Sequence, residues 1–482
     1  MGHKSLGEFI EAAQAIGEVK EIHGADLDLE VGCLTELAAE QNGPMLVFDR
    51  FDGYPGDFRV ASNVVRNSRR RYALACGLPV DAHAVELVRR LRELRREKKP
   101  VAPVLVKDGP VLEHRLAGPD VDIGKFPAPK WHSGDGGRYI GTGDIVVIKD
   151  PETGWVNFGT YRACVQDRDR LSLWIIKHKR GRILAEKYWA QGRPCPVAVV
   201  LGCDPLTFMA GTSRLKYEEA GALHGRPVEV VNGPFTGLPI PAEAEIVVEG
   251  EIPSPEQESV KEGPFGEWPG YYAHSGQECV VRIKQIVHRS APIINGSPPL
   301  RPLLGYRDDL PTMAATVWDH LEGSGISDIA GVWGHCNSLM IVVALKQRYA
   351  GHAQQALMAA AGLRSSASMY TYYVAVDDDI DPSDLRDVLW AMCTRVNPAT
   401  ALDIIQNAWT SDLDPRLTPE QKSSGDYTMG RLLVNACKPF TWRESFPKTN
   451  IFSAEERRRV RERWAAVLKE IEESAARPSR AG

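Results

Sequence analysis

A chain of 482 residues, 43% hydrophobic and 25% charged, is too long for one small core and has the make-up of a globular protein of roughly two or three domains. Its formal charge of −5 gives no electrostatic footprint for nucleic acid or for an anionic membrane surface. The nine cysteines stand singly with no Cys-x-x-Cys pair, which argues against a zinc ribbon or a disulfide framework and for a reducing cytoplasm.

The opening "SLGEFIEAAQAIGEV" predicts an amphipathic helix rather than a signal peptide. Ser5 and Glu8 read as a capping box, and Leu6, Phe9, Ile10, Ala13 and Ile16 share one face. No apolar run approaches the ~20 residues that a membrane span needs. "VELVRRLRELRREKK" reads as a basic amphipathic helix with a solvated face, and "PVLVKDG" after it as a strand or linker. From Asp120 to Ile294 short β-branched segments follow one another between glycine and proline turns: "DIVVIKD", "CPVAVVLGC", "AEIVVEGEI", "VVRIKQIVHR". These predict a mostly antiparallel sheet or barrel-like domain interrupted by one helix, "GRILAEKYWAQG". Beyond a Pro-rich hinge, strands "SLMIVVALKQ" and "YYVAVDDDID" alternate with helices "GHAQQALMAAAG" and "PSDLRDVLWAMCTRV", the pattern of a parallel or mixed sheet. A last helix is capped by Ser453 and Glu456 and striped by Val460, Trp464, Val467, Leu468 and Ile471. The fold class is thus α/β (α+β). Its expected parts are an N-terminal α/β domain over 1–115, a β-rich domain over 116–305 and a helical, Pro-rich linker over 306–322. A C-terminal α/β domain over 323–450 and a terminal helix over 451–482 complete it.

Chemistry concentrates at "KEGPFGEWPGYY", where Glu262 and Glu267 flank a Gly-Pro-Phe-Gly insert. Proline and glycine forbid a helix, so the pair belongs to a turn or strand end that aims both side chains into one pocket. Two neighbouring carboxylates raise one pKa, the raw material of acid–base catalysis. "GWVNFGTYRACVQDRDRLSLWIIKHKRGR" offers Asn157, Arg162 and His178. An arginine facing both acids would keep one ionised and orient the other, although a buried salt bridge between domains would read the same way. Asp377, Asp378, Asp379 and Asp381 suit a helix N-terminus better than a metal. His335 has no second histidine nearby and reads as structural. "HSGDGGRYIGTGD" matches neither GxGxxG nor a Walker A loop and says only that a ligand could approach backbone amides there.

"NFGTYR" followed by "EGPFGE" resembles the UbiD family of decarboxylases, which use prenylated flavin mononucleotide (prFMN). "SLGEFIEAAQAIGEVKEI", "RYIGTGDIVVIKDPETG" and "DDDIDPSDLRDVLWAMCTR" extend the likeness over most of the chain. The resemblance implies an N-terminal α/β part, a β-rich split-barrel flavin domain and a C-terminal α/β domain, in a homodimer or homohexamer. It places the family's Glu-Arg-Glu network on Glu262, Arg162 and Glu267, with Glu267 as the acid–base residue that protonates carbon after a covalent substrate–prFMN adduct loses carbon dioxide. It puts cofactor contacts at Asn157, Gly159, Thr160, Tyr161, Arg162, His178, Lys216 and Thr371. It also implies a flavin prenyltransferase as supplier of the cofactor, and Mn2+ or another divalent metal, with K+ nearby, at the cofactor's phosphate.

Two positions depart from the family pattern. Asn157 and His178 match metal ligands, but Lys216 aligns with the third, a glutamate; a slip of two or three residues would give Glu218 or Glu219 instead. Thr371 stands where many members carry a lysine. A lysine at 216 would repel a cation and grip the phosphate directly, standing in for the metal or for the missing lysine. The reading favoured is therefore decarboxylation of an aromatic, heteroaromatic or α,β-unsaturated acid. Its alternatives are a non-catalytic flavin-binding subunit of a carboxylase complex and a paired-carboxylate hydrolase.

Overall fold

The computed structural model describes residues 2–177, 179–211, 216–273, 275–301, 311–363 and 369–475. The chain divides into two compact units, Met1–Cys437 and Lys438–Gly482.

The first unit opens with α1 (Leu6–Ala15), which buries Leu6, Phe9, Ile10 and Ala13, as its periodicity predicts. Ser5 caps the Glu8 N–H, but the Glu8 carboxylate turns to the Lys4 N–H at 2.7 Å, so only half of the predicted box forms. Strands β1 (Val19–His23), β2 (Met45–Asp49) and β3 (Arg59–Ser62) follow, with α2 (Glu30–Glu40) between the first two; α3 (Arg69–Ala75) and α4 (Ala84–Glu97) come next. The Arg-rich α4 is not a purely solvated face. Arg92 is 4% exposed, lies 4.4 Å over the Trp318 ring and pairs with Asp319 and Glu322. An arginine whose stem and head are both matched loses little by burial.

The middle of the unit is a ten-stranded sheet. After β4 (Val104–Leu105), which pairs outside this sheet, its first strands are β5 (His114–Ala117), β6 (Tyr139–Gly141), β7 (Ile145–Lys149), β8 (Val156–Gly159), β9 (Ala163–Asp167) and β10 (Arg170–Leu173). Among the described residues three helices interrupt it rather than one: α5 (Arg180–Ala190), α6 (Pro205–Ala210) and α7 (Tyr217–His224). The remaining strands are β11 (Cys195–Val200), β12 (Glu229–Asn232), β13 (Pro239–Pro241), β14 (Ile246–Ile252), β15 (Ser259–Glu262) and β16 (Gly276–His288). The main order is β6-β9-β10-β16-β14-β11-β7-β8, with β15 and β5 paired to β16, while β13-β12-β4 form a separate ribbon. The path ends at β6 and β8 without joining them, so the sheet is not closed into a barrel. Its apolar strands are continuous because both faces are covered. Val146 and Ile148 enter one core and Ile145 and Val147 the other, and β11 and β14 alternate in the same way. β17 (Ile293–Gly296) then returns to pair in parallel with β3.

Helix α8 (Pro311–Gly323) packs on α4 and on the third large sheet. That sheet contains β18 (Ile329–His335), β19 (Met340–Leu345), β20 (Tyr372–Asp377), β21 (Leu402–Trp409) and β22 (Thr428–Asn435), in the mixed order β18-β19-β20-β22-β21. Helices α9 (His352–Gly362) and α10 (Leu385–Arg395) take the predicted positions, with the short α11 (Pro419–Ser424) between the last two strands. The aspartate cluster does not cap α10, whose N-cap is Asp384. Asp377 and Asp379 pair instead with Arg395 in its last turn. His335 is buried and donates to Pro382 O at 2.8 Å, a structural role.

In the second unit Ser453 and Glu456 form the full capping box at the start of α12 (Ala454–Arg463). The predicted single helix breaks at Trp464 and resumes as α13 (Ala465–Ala475). Val460, Trp464, Val467 and Ile471 are exposed.

Candidate active site

The sequence separates Arg162 from the two glutamates by a hundred residues, and the fold removes that distance. Strand β15 ends at Glu262, and the Gly-Pro-Phe-Gly insert turns the chain so that Glu267 faces the same guanidinium. Arg162 lies between β8 and β9. It donates Nε–H and Nη2–H to the two Glu262 oxygens at 2.9 and 2.6 Å and Nη1–H to Glu267 at 2.7 Å. Both acids are largely buried, with side-chain exposures of 1% for Glu262 and 15% for Glu267. Burial pushes the Glu267 carboxyl up to about 7, against the pull of Arg162 and with help from Glu262 and Asp412.

The loop is held from every side. Phe265 inserts into the core and stacks on Tyr139 with ring centroids 3.9 Å apart, while the Tyr139 hydroxyl donates to Glu262 at 2.6 Å. Ser275 Oγ lies 2.9 Å from Glu262 O and 3.1 Å from Gly263 O. Gly136 N–H donates to Pro264 O at 2.8 Å. A β-carbon at Gly136 would stand 2.2 Å from Gly263 O. The glycine-rich segment thus uses its freedom to approach the Glu262–Glu267 loop, where the sequence had suggested a ligand.

Four further residues had no signal in the sequence. Trp174 lies under Arg162, with the guanidinium carbon 4.0 Å from the ring centroid. Glu278 on β16 bonds Trp174, and burial together with the Glu262 charge pushes its carboxyl up to about 7. Asp414 grips Arg416 at 2.8 and 2.6 Å, and Arg416 donates to Thr371 Oγ1 at 2.6 Å. The position expected to carry lysine in relatives is therefore a hydroxyl bonded to an arginine.

The remaining expected cofactor contacts gather at the start of α5. The Tyr161 ring fills the space left by the missing side chains of Gly159 and Gly181, and its hydroxyl accepts from Gly181 N–H at 3.1 Å. Asn157 is 1% exposed, and its amide nitrogen has no hydrogen-bond partner. Thr160 is exposed and touches the Gly211 turn. Lys216 is 5% exposed and donates to Gly211 O at 3.0 Å. Burial, then Arg180 and Lys179, pull its ammonium down to about 8. Glu218 and Glu219 follow it in the first turn of α7, both half-buried. His178 lies outside the described residues. Among the described residues no group of three His, Cys, Asp or Glu side chains could hold a metal ion.

Profiles for the N-terminal, Rift-related and C-terminal domains of 3-octaprenyl-4-hydroxybenzoate carboxy-lyase match residues 10–105, 104–302 and 310–436. The chain is 30% identical to a phenolic acid decarboxylase of Streptomyces sp., over 91% of this chain and 93% of that one. It is 29% identical to a pyrrole-2-carboxylic acid decarboxylase of Pseudomonas aeruginosa, over 95% and 97%. Among solved structures it resembles the UbiD-class enzyme HmfF from Pelotomaculum thermopropionicum in complex with FMN, at 26% identity and a TM-score of 0.80 over 94% of this chain and 98% of that one. An evolved dimeric form of HmfF in complex with prFMN gives 25% identity and a TM-score of 0.78 over the same 94% and 98%. These matches run the length of the chain, and with them the protein is a member of the UbiD family of carboxy-lyases.

Proposed function

We propose that the protein removes carbon dioxide from an aromatic, heteroaromatic or α,β-unsaturated carboxylic acid with the help of prFMN, and that Glu267 returns a proton to the carbon left behind. The observation that carries this reading is the single guanidinium of Arg162, bonded at once to Glu262 and to a Glu267 whose carboxyl is raised to about 7. Arg162 holds Glu262 with paired donors and aims Glu267 with a third N–H, on Nη1. Tyr139 and Trp174 hold the arginine and its partner carboxylate in place. At neutral pH a carboxyl with this pKa is protonated in about half of the molecules, against about one in 500 at the usual value near 4.3. Phe265 is buried beside the pair, and Arg416 adds a fixed positive charge at Thr371.

Asn157, Tyr161 and Lys216 fit the phosphate end of the cofactor, since an unpartnered amide N–H and a buried ammonium suit an anion. Bound there, prFMN would supply an electron sink for the pair left on the substrate carbon when carbon dioxide departs. Decarboxylation is the direction favoured at ordinary carbon dioxide levels. A flavin prenyltransferase supplies the cofactor, the subunits assemble as a homodimer or homohexamer, and the protein works in the cytoplasm. The division into parts at 115, 305, 322 and 450 belongs to this same reading. Membership of a carboxy-lyase family leaves the hydrolase alternative without support, while the non-catalytic subunit remains the rival to test.

Glu267→Gln is the direct test. It keeps the shape of the side chain and the contact with Arg162 but removes the proton. Carbon dioxide release should stop while flavin stays bound; turnover at the wild-type rate would overturn the role of Glu267.

A further inference from the structure

The corner formed by Asn157, Lys179, Arg180 and Lys216 is built for an anion and not for a divalent cation. Lys216 and Arg180 lie within electrostatic reach of each other, as do Lys216 and Lys179, and among the described residues Glu219 is an acid that bears on the Lys216 ammonium. Among these described groups the cations outnumber the carboxylate, and a phosphate monoester dianion neutralises such a surplus. A divalent metal would add to that surplus, and so would a potassium ion. The orphan in the corner is a donor, the buried Asn157 amide nitrogen, which a phosphate oxygen satisfies and a metal cannot. Of Lys216, Glu218 and Glu219, the lysine is the side chain that is buried, between Gly211 O and the Phe158 ring. Its backbone has φ 55° and ψ −118°, a conformation in which a β-carbon is disfavoured, and the fold accepts that strain to turn this residue inward at the start of α7.

We infer that this chain holds the phosphate of its flavin cofactor by direct ion pairing and hydrogen bonding to Lys216, Arg180 and Asn157, with no divalent metal in between. The inference rests on the flavin reading above and adds to it a metal-independent phosphate site. No covalent or redox step is involved; the site binds and orients.

The experiment is a fluorescence-quenching titration of the full-length protein with FMN, riboflavin and inorganic phosphate, in EDTA and then with added Mn2+, together with metal analysis of the FMN-loaded protein. FMN should bind at least tenfold more tightly than riboflavin, equally well in EDTA and in Mn2+, and with less than stoichiometric metal. Inorganic phosphate should compete with FMN and leave riboflavin binding unchanged. Lys216→Met should remove the FMN advantage while riboflavin still binds, which also shows that the variant is folded. Lys216→Glu should make FMN binding depend on added Mn2+. Stoichiometric manganese in the loaded wild-type protein, or an FMN affinity that collapses in EDTA, would overturn the metal-free site and leave the flavin reading standing. Absence of any flavin binding, with or without Mn2+, would overturn the flavin reading itself and this inference with it.

Discussion

Gly136→Ala adds a single methyl group at the point where the glycine-rich segment meets the Glu262–Glu267 loop. Its β-carbon would lie 2.2 Å from Gly263 O and 2.5 Å from Gly263 C, where ordinary contact begins at 3.4 Å. The atoms that would have to move are backbone, so the loop must shift by roughly 1 Å, taking Glu262 and Glu267 with it. Overpacking of this kind costs about 1–3 kcal/mol of stability, and a 1 Å misplacement of a reacting group can cost about 10²-fold in rate. The expected result is a turnover number reduced about a hundredfold, a small drop in melting temperature and an unchanged content of bound flavin. Gly56→Ala is the control, since nothing lies within 4 Å of a β-carbon at that position. Steady-state carbon dioxide release, flavin absorbance and a thermal melt on both variants give the answer. Wild-type turnover in a folded Gly136→Ala protein would show that the loop does not need this close approach, and the geometric account of the site would fail.

Two further perturbations test the energetics of the fold. Arg92→Ala removes a buried guanidinium from Trp318, Asp319 and Glu322. Both acid partners keep some solvent, which limits the loss to about 1–3 kcal/mol, read as a lower denaturation midpoint with turnover per folded molecule unchanged. Stability should also fall as pH rises from 6.5 to 8. Glu267, Glu278 and Glu245 are raised to about 7 and Asp144 to about 8, in each case first by burial, so the native state holds protons that the unfolded state has already lost. Each such carboxyl lowers stability by up to about 1.4 kcal/mol per pH unit across that window. His3, His288, His335 and His352 are all lowered by burial and act the other way, most strongly below their ordinary value of 6.5 and fading above it. Lys216 also acts the other way near pH 8, and together these groups offset part of the fall. Thermal melts at the two pH values check the sign, and a higher melting temperature at pH 8 would contradict it.

That Glu262 and Glu267 share one partner was legible in the sequence because local chain chemistry announces it: a Gly-Pro-Phe-Gly insert cannot be helical, and it leaves two carboxylates side by side. The alternating strands of the central sheet were legible for the same reason, since β-branched runs between glycine and proline turns leave few other options. What surrounds the pair was hidden. Tyr139, Trp174 and Glu278 reach Arg162 and Glu262 through strand pairing and packing among β6, β10 and β16, which no local pattern encodes. Arg92 read as solvated because its acidic partners lie more than two hundred residues away. The glycines of the 132–144 segment suggested a ligand because sequence shows only that a backbone can be approached, not what approaches it. The aspartate cluster misled in a similar way: its partner, Arg395, sits at the far end of the helix that the cluster was expected to cap.

The most direct test of the central claim is mass spectrometry of the small molecule released from this protein after co-expression with a flavin prenyltransferase. Release of prFMN in near-equal amount with the protein is the predicted result, and it makes a screen of aromatic, heteroaromatic and unsaturated acids for carbon dioxide release the next step. A protein that carries no flavin beside a working prenyltransferase would contradict the account, and the Arg162 network would then be a structural ion pair in a subunit without this chemistry.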